Sequence, residues 1–517
     1  MLFVQDSLEQ SARRTPSKVA LICDGQRLTY AEVDAMANRL ASALEAHGVA
    51  RGDRVVLFCP NCIELVVGIF ATLKANGVFV VVNSSTKADK LAYVVRNSRA
   101  AALVTPVRHV EMAAEVMRHA QSLKCTVLTG SGFAEAGQRD GAFLSFDAIQ
   151  RDYPASAPKR RRIDQDLACL IYTSGSSGEP KGVMSSHANV VFAASSIISY
   201  LQNLPDDVII CALPLSFDYG LYQLLMTFTF GGTLVLERSF AYPARFLERL
   251  GGERVTGFPG VPTIFAILLD MDLSGYDFSR LRYITNTAAA LPPSHIQRLR
   301  NLFPKATLYS MYGLTETKRT LYLPPEQLDK RPGSVGIAIP GTEVWLEDEQ
   351  GNRLGPNQVG ELVIRGGHVM RGYWENPEAT AQRFRPGPIP GERVCYSDDL
   401  FRMDEDGYFY FVGRKDDIIK SRGEKVAPKE IENVLYELSG VVEAAVIGVS
   451  DPILGQAIKA LIVTRDHTLT EKDVLRHCRA RLEDFMVPKY VAFVDSLPKT
   501  TSGKIQKTAI CAELSAS

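Results

Sequence analysis

The chain alternates short, fully apolar runs with longer segments whose apolar residues recur every three or four positions. LTYAEVDAMANRLASALEAHGV carries that helical spacing after Thr29, a residue suited to capping a helix. DRVVLFC and GVFVVVN are runs of the kind buried on both faces of a sheet, and a helix is predicted to begin between them, near Ile63. KADKLAYVVRNSRAAALVT then adds a further helix and strand. This β-α-β rhythm over the first ~150 residues predicts a mostly parallel sheet.

The rhythm breaks at residues 154–166, PASAPKRRRIDQD, a polar connector containing proline. Its basic run, Lys159 to Arg162, reads as a solvated linker rather than a localisation signal. A second α/β stretch follows from Leu167 to about Leu323. Residues 333–374 have strand spacing and suggest a small β-rich unit. From about Lys415 a compact α/β unit of roughly 100 residues completes the sequence. There is no internal repeat and no low-complexity tract.

Composition narrows the function classes. Lys+Arg and Asp+Glu are equal, at 58 each, so no electrostatic footprint for nucleic acid or an anionic membrane is expected. The apolar stretch from Leu65 to Val82 comes nearest to a membrane span, but Lys74 and Gly77 interrupt it. Asp6 and Glu9 break the N-terminal apolar run, so no signal peptide is expected and a cytoplasmic location is the default. Nine scattered cysteines argue against a secreted disulfide framework. Cys59 and Cys62 form one CxxC, in CPNC. Without a second pair, it reads as the turn into the helix near Ile63 rather than a zinc or redox site.

The strongest chemical signal is Tyr172-Thr-Ser-Gly-Ser-Ser-Gly-Glu-Pro-Lys-Gly182, which follows the apolar strand LACLIY and precedes the helix start HANVVFAASS. Its glycines allow close backbone approach to an anion, its hydroxyls and N–H groups suit phosphate oxygens, and Lys181 adds a point charge. A P-loop needs GxxxxGK[ST]; here Pro180 precedes the lysine and Gly182 follows it, so that pattern fails.

YTSGSSGEPKGV resembles the phosphate loop of the adenylate-forming superfamily. That superfamily comprises acyl- and aryl-CoA synthetases, the adenylation domains of nonribosomal peptide synthetases and beetle luciferases. Further segments resemble it in family order over nearly the whole chain. They are Tyr309-Ser-Met-Tyr-Gly-Leu-Thr-Glu316, Tyr396-Ser-Asp-Asp399, Gly413-Arg-Lys-Asp-Asp417, Ser421-Arg-Gly-Glu-Lys-Val-Ala-Pro-Lys-Glu430 and Pro498-Lys-Thr-Thr-Ser-Gly-Lys504. The resemblance implies two α/β sheet subdomains plus a small β-rich subdomain, spanning residues 1–415, and a mobile C-terminal α/β domain, 416–517, hinged at Asp416. It implies ATP-dependent conversion of a carboxylic acid to an acyl-adenylate, with Mg²⁺, followed by transfer of the acyl group to a thiol.

In that reading Thr173, Ser174, Gly175, Ser176, Ser177, Gly178 and Lys181 cradle the ATP phosphates. Thr315 contacts phosphate and Glu316 holds Mg²⁺. Tyr312, beside Gly313, offers a flat face to adenine, or else simply packs in the core. Asp399 accepts from the ribose hydroxyls and Arg414 contacts the nucleotide. Lys504 bridges the attacking carboxylate and the α-phosphate, and Arg422, Gly423 and Glu424 form a thiol-acceptor loop. The family has Thr-Gly-Asp where this chain has Ser397-Asp398-Asp399, which puts the local turn in question.

The acid pocket falls to Phe217, Asp218, Tyr219, Asn286, Ala288 and Met311. Phe-Asp at 217–218 matches amino-acid adenylation domains, in which the aspartate pairs with the substrate's amine. Asp218 is therefore either a contact for an amino or hydroxyl group on the acid or a helix cap. Ala288-Ala289-Ala290 narrow the slot, which favours a small or aromatic acid. The loop SRGEKVAPKEIE instead resembles CoA ligases. The expected acceptor is thus CoA, with a carrier protein loaded in trans as the alternative.

Overall fold

Local signals account for the helices that line the interior. Thr29 and Glu32 form a reciprocal capping box at the start of the helix Tyr30–Ala46, and Cys62 opens the helix Ile63–Lys74. The structure, a computed structural model, describes residues 1–133, 143–173, 180–287, 291–421, 424–451, 455–465, 468–500, 504–507 and 509–511.

Among the described residues, one sheet has seven strands. Five parallel strands of the first stretch are joined by Leu167–Thr173 and, antiparallel to it, Lys181–Ser186. Side chains alternate across this sheet, as the period of a strand requires. Val55 and Leu57 enter one apolar cluster, Val56 and Phe58 another. The first cluster also takes residues of the second sheet and of the helices Tyr30–Ala46, Ile63–Lys74, His187–Leu201 and Asp218–Phe230. That shared layer is why Ile63–Lys74 is apolar on nearly every side. Its one cation, Lys74, is buried against Glu9 at 3.2 Å and Asp34 at 2.9 Å.

The second sheet has fourteen strands. Its parallel part, Val208–Cys211, Thr233–Leu236, Gly257–Gly260, Tyr283–Asn286 and Thr307–Tyr312, passes through the short strand Leu321–Tyr322 into an antiparallel part containing Arg393–Met403 and Phe409–Arg414. The β-rich unit expected at 333–374 is therefore hydrogen-bonded into the larger sheet.

The strand membership of the two sheets departs from the order of the two stretches. Val19–Cys23 and Gln26–Thr29, from the first stretch, belong to the second sheet, whereas Leu167–Thr173 belongs to the first. Apolar strands carry no label for the sheet they join; long-range packing decides it. The helix start expected at HANVVFAASS is found as His187–Leu201, capped by Ser186, and the strand Lys181–Ser186 leads into it.

After Asp416, which lies in the exposed turn Lys415–Asp417, a five-stranded sheet packs with the helices Pro428–Leu435 and Glu471–Arg479. Its two apolar clusters contain only residues from Ile419 onward. It meets the rest of the chain through polar and edge contacts, including Arg465 to Asp270 at 2.6 Å and His295 against Tyr436. No helix among the described residues is long and apolar enough to cross a membrane.

Candidate active site

The residues expected to meet the nucleotide begin on two adjacent antiparallel strands. Pairing of Arg393–Met403 with Phe409–Arg414 sets Asp399 directly opposite Arg414, whose Nε lies 3.3 Å from Asp399 Oδ1. The Tyr312 hydroxyl donates to Asp399 Oδ2 at 2.6 Å, and the Tyr312 ring wedges edge-on against Phe401. Tyr312 thus both packs and orients the aspartate. Asp399 is 4% exposed, and Oδ1 has no hydrogen-bond partner among the described residues. Burial raises its pKa above the usual carboxylate range, opposed by Arg414 and by the Tyr312 hydrogen bond.

The glycine missing from the Ser-Asp-Asp segment is absorbed locally. Asp398 adopts φ +53°, a left-handed conformation that aspartate tolerates better than most residues, and Arg383 holds its carboxylate. Ser397 Oγ accepts from Asp399 N at 3.2 Å.

The segment Tyr312-Gly-Leu-Thr-Glu-Thr-Lys folds back between the paired strands Thr307–Tyr312 and Leu321–Tyr322. Gly313 is needed there because an added Cβ would collide with the Lys318 carbonyl oxygen. The half-buried Thr315 gives its carbonyl to Lys318 Nζ at 2.9 Å. Glu316 is buried and accepts from the Tyr373 hydroxyl at 2.6 Å. The Tyr373 ring in turn carries Lys181 Nζ at 5.5 Å from its centroid. Thr173 and Lys181 are cross-strand partners at the mouth of the phosphate loop. Ser174, Gly175, Ser176, Ser177 and Gly178 lie outside the described residues, as do Ala288, Arg422 and Gly423; Glu424 opens the strand Glu424–Val426.

Lys504 comes from the far end of the chain. A bridge between Lys499 and Ile505 and a hydrogen bond from Lys504 N to Thr500 Oγ1 at 3.1 Å form the turn that presents it. Solvent still reaches the side chain, but protein surrounds it closely enough for desolvation to lower its pKa. Asp218, Asp399 and Glu316 oppose that shift and Arg414 reinforces it, so all four groups lie within electrostatic reach of this one ammonium.

On the acid side, Asp218 is the first residue of its helix, and the preceding Phe217 makes no side-chain cap. Asp218 is 5% exposed, with its Oδ2 3.8 Å from Nη1 of the buried Arg319. Tyr219 is fully buried; its hydroxyl hydrogen-bonds with Thr285 Oγ1 at 2.6 Å and its ring lies 4.4 Å from the Arg319 guanidinium. Asn286 ends its strand, buried, and Met311 receives the Tyr200 hydroxyl at its sulfur, 2.9 Å away. Asn61, from the CPNC turn, staples this region by donating to the Leu213 and Glu237 carbonyls and accepting from Leu215 N, each at 3.0 Å. Cys59 and Cys62 are buried thiols.

Lys318, Arg319, Tyr373 and Arg383 are the site neighbours that motif reading missed. The only signal was a Lys-Arg pair two residues beyond Glu316, and adjacent charges ordinarily mark a solvated face.

Residues 8–374 match the AMP-binding enzyme family and residues 430–504 the AMP-binding enzyme C-terminal domain. A feruloyl-CoA synthase of Amycolatopsis sp is 35% identical over 501 residues, covering 96% of each chain. A long-chain-fatty-acid–CoA ligase of Bacillus subtilis is 30% identical over 538 residues, covering 99% of this chain and 94% of that one. The solved structure of an anthranilate CoA ligase with anthranoyl-AMP superposes with a TM-score of 0.91 at 26% identity, covering 99% of this chain and 98% of that one. With both family domains matched in order over most of its length, the chain belongs to the AMP-binding, adenylate-forming enzyme family, as an AMP-forming acid–CoA ligase.

Proposed function

We propose that this enzyme adenylates a small or aromatic carboxylic acid at the cleft between Asp399 and Asp218 and passes the acyl group to CoA. The observation that carries this reading is that Asp218, Asp399, Arg414 and Glu316, from four separate segments, all lie within electrostatic reach of Lys504. A cation between an acid-side and a nucleotide-side carboxylate is where attack of a carboxylate on a phosphate needs positive charge.

The residues fit the missing partners. Asp399 Oδ1, buried without a hydrogen-bond partner among the described residues, suits a ribose hydroxyl. Glu316 supplies one oxygen ligand held in place by Tyr373, which suits Mg²⁺, an ion commonly bound by one or two carboxylates together with substrate phosphates. The ion would offset phosphate charge. Lys181 and Thr315 hold phosphate oxygens, and Lys504 orients the acid's carboxylate for attack on the α-phosphate. Asp416 is the hinge about which residues 416–517 turn, so that Lys504 leaves and the segment containing Arg422, Gly423 and Glu424 brings the thiol. The chain-separate apolar clusters of that domain support such a motion. The aromatic preference is supported by the feruloyl and anthranilate relatives and by the short Ala288–Ala290 segment.

The test is pyrophosphate release over a panel of aliphatic, aromatic and amino acids, with and without CoA. The expected result is acid-dependent pyrophosphate and AMP, with a CoA thioester as product. Acyl transfer to a carrier protein but not to CoA would overturn the acceptor assignment.

A further inference from the structure

Arg319 is a buried cation facing Asp218. It is 3% exposed and stacked over Tyr219. Its Nη1 donates to the Lys318 carbonyl at 3.2 Å, while its Nε–H has no acceptor among the described residues. The gap of 3.8 Å to Asp218 is an ion pair without a hydrogen bond. Buried charges are tolerated when hydrogen bonds complete them. Here the neighbours are already engaged: the Tyr219 hydroxyl with Thr285, and Lys318 Nζ with the Thr315 carbonyl. The pair is an unfinished network.

We propose that Asp218 and Arg319 together determine which acid is accepted, and that they select an acid bearing a hydroxyl group. The proposal rests on the reading of this cleft as the acid-adenylation site. A hydroxyl both donates to a carboxylate and accepts from a guanidinium, so it completes both partners at once. An ammonium has three donors and no acceptor, and it adds positive charge beside Arg319, Lys318 and Lys504. An aryl amine donates to Asp218 but accepts weakly, because its lone pair is delocalised into the ring. A C–H completes neither partner. Arg319 Nε–H lacks an acceptor among the described residues and no hydrogen bond joins the two charges, which suits a group that both donates and accepts.

The experiment measures kcat/KM for pyrophosphate release by the unaltered enzyme with three matched sets: benzoate, cinnamate and a short aliphatic acid, each as parent, hydroxy and amino derivatives at every ring or chain position. Within the best-used set, one hydroxy acid is expected to exceed both its parent and its amino analogue by about tenfold or more, as sites built around a polar contact do. Arg319→Met and Asp218→Asn should each bring the hydroxy-to-parent ratio to within about twofold of one; because the ratio is read, general losses from packing cancel. Parent or amino acids used equally well or better by the unaltered enzyme overturn the proposal, whether or not either variant folds. Absence of pyrophosphate release with every acid overturns the reading of the site itself and this proposal with it, which is distinguishable from release without hydroxyl preference.

Discussion

On the nucleotide side of the cleft, Asp399 is gripped by Tyr312 at 2.6 Å and faced by Arg414, an exposed arginine on the adjacent strand. On the acid side, Asp218 faces Arg319 across 3.8 Å, with both side chains buried and no hydrogen bond between them. The first carboxylate is oriented by neighbours in one sheet and leaves an oxygen for a ligand. The second is neutralised by a cation from a distant segment. Orientation by local strand pairing is robust to what binds, whereas a buried charge pair couples binding to stability.

The largest expected effect tests that coupling. Asp218→Ala leaves Arg319 buried without its carboxylate and should lower unfolding free energy by about 3–5 kcal/mol in urea denaturation. Unchanged stability would remove the contrast between the two sides.

Lys504→Ala touches both sides at once. Adenylate formation should fall by about 10²–10³-fold, the usual loss for an electrostatic stabiliser of this kind. Thioester formation from supplied acyl-adenylate should largely survive if, as proposed, Lys504 serves only the first half-reaction. Equal losses in stopped-flow measurements of the two half-reactions would sink the two-orientation account.

Asp399→Asn sharpens the comparison from the other side. The raised pKa of Asp399 means that ionising it costs more in the folded protein than in the unfolded chain. Its contribution to stability is present below the ordinary carboxylate pKa and is lost as pH rises through the raised folded value. At neutral pH the charge is a burden, so the amide should leave Tm unchanged or higher. Apparent ATP affinity should fall by about 10–100-fold, from a lost charged hydrogen bond worth about 1.5–3 kcal/mol. A loss of stability as large as that of Asp218→Ala would erase the distinction.

The smallest effect supplies a baseline shared by both sides. His187, buried and accepting from Val4 N at 3.2 Å, has its pKa lowered to about 3, chiefly by burial and secondarily by Arg162. A depressed histidine contributes stability above its unfolded pKa, near 6.5, and that contribution is lost as pH falls toward 3. Stability should decline by up to about 1.4 kcal/mol per pH unit in that window, and His187→Gln should flatten the slope in urea melts at pH 7 and pH 5.

The nucleotide side was largely legible in the sequence because its residues come in short segments whose chemistry is local. Tyr312, Gly313, Thr315 and Glu316 lie on one fold-back segment, and Asp399 and Arg414 are opposed by the register of adjacent strands. The acid side was legible only as a list. Asp218 was marked, but its partner Arg319 lies 101 residues on, in a charged pair that looks solvated. The helix-cap reading of Asp218 gives way for the same reason: the helix begins at Asp218 itself, and its carboxylate faces the guanidinium.

By itself the sequence determined the helix starts after Thr29 and at HANVVFAASS and the chemical identity of each motif, because periodicity, caps and spacing are properties of neighbours along the chain. Only the tertiary structure decided that Val19–Cys23 joins the second sheet and Leu167–Thr173 the first, that Lys504 comes within electrostatic reach of Glu316 and Asp399, and that Asp218 meets Arg319. Those outcomes depend on which apolar faces and which buried charges find one another across the fold, and the free energy of burying them is fixed by partners that lie far away in sequence.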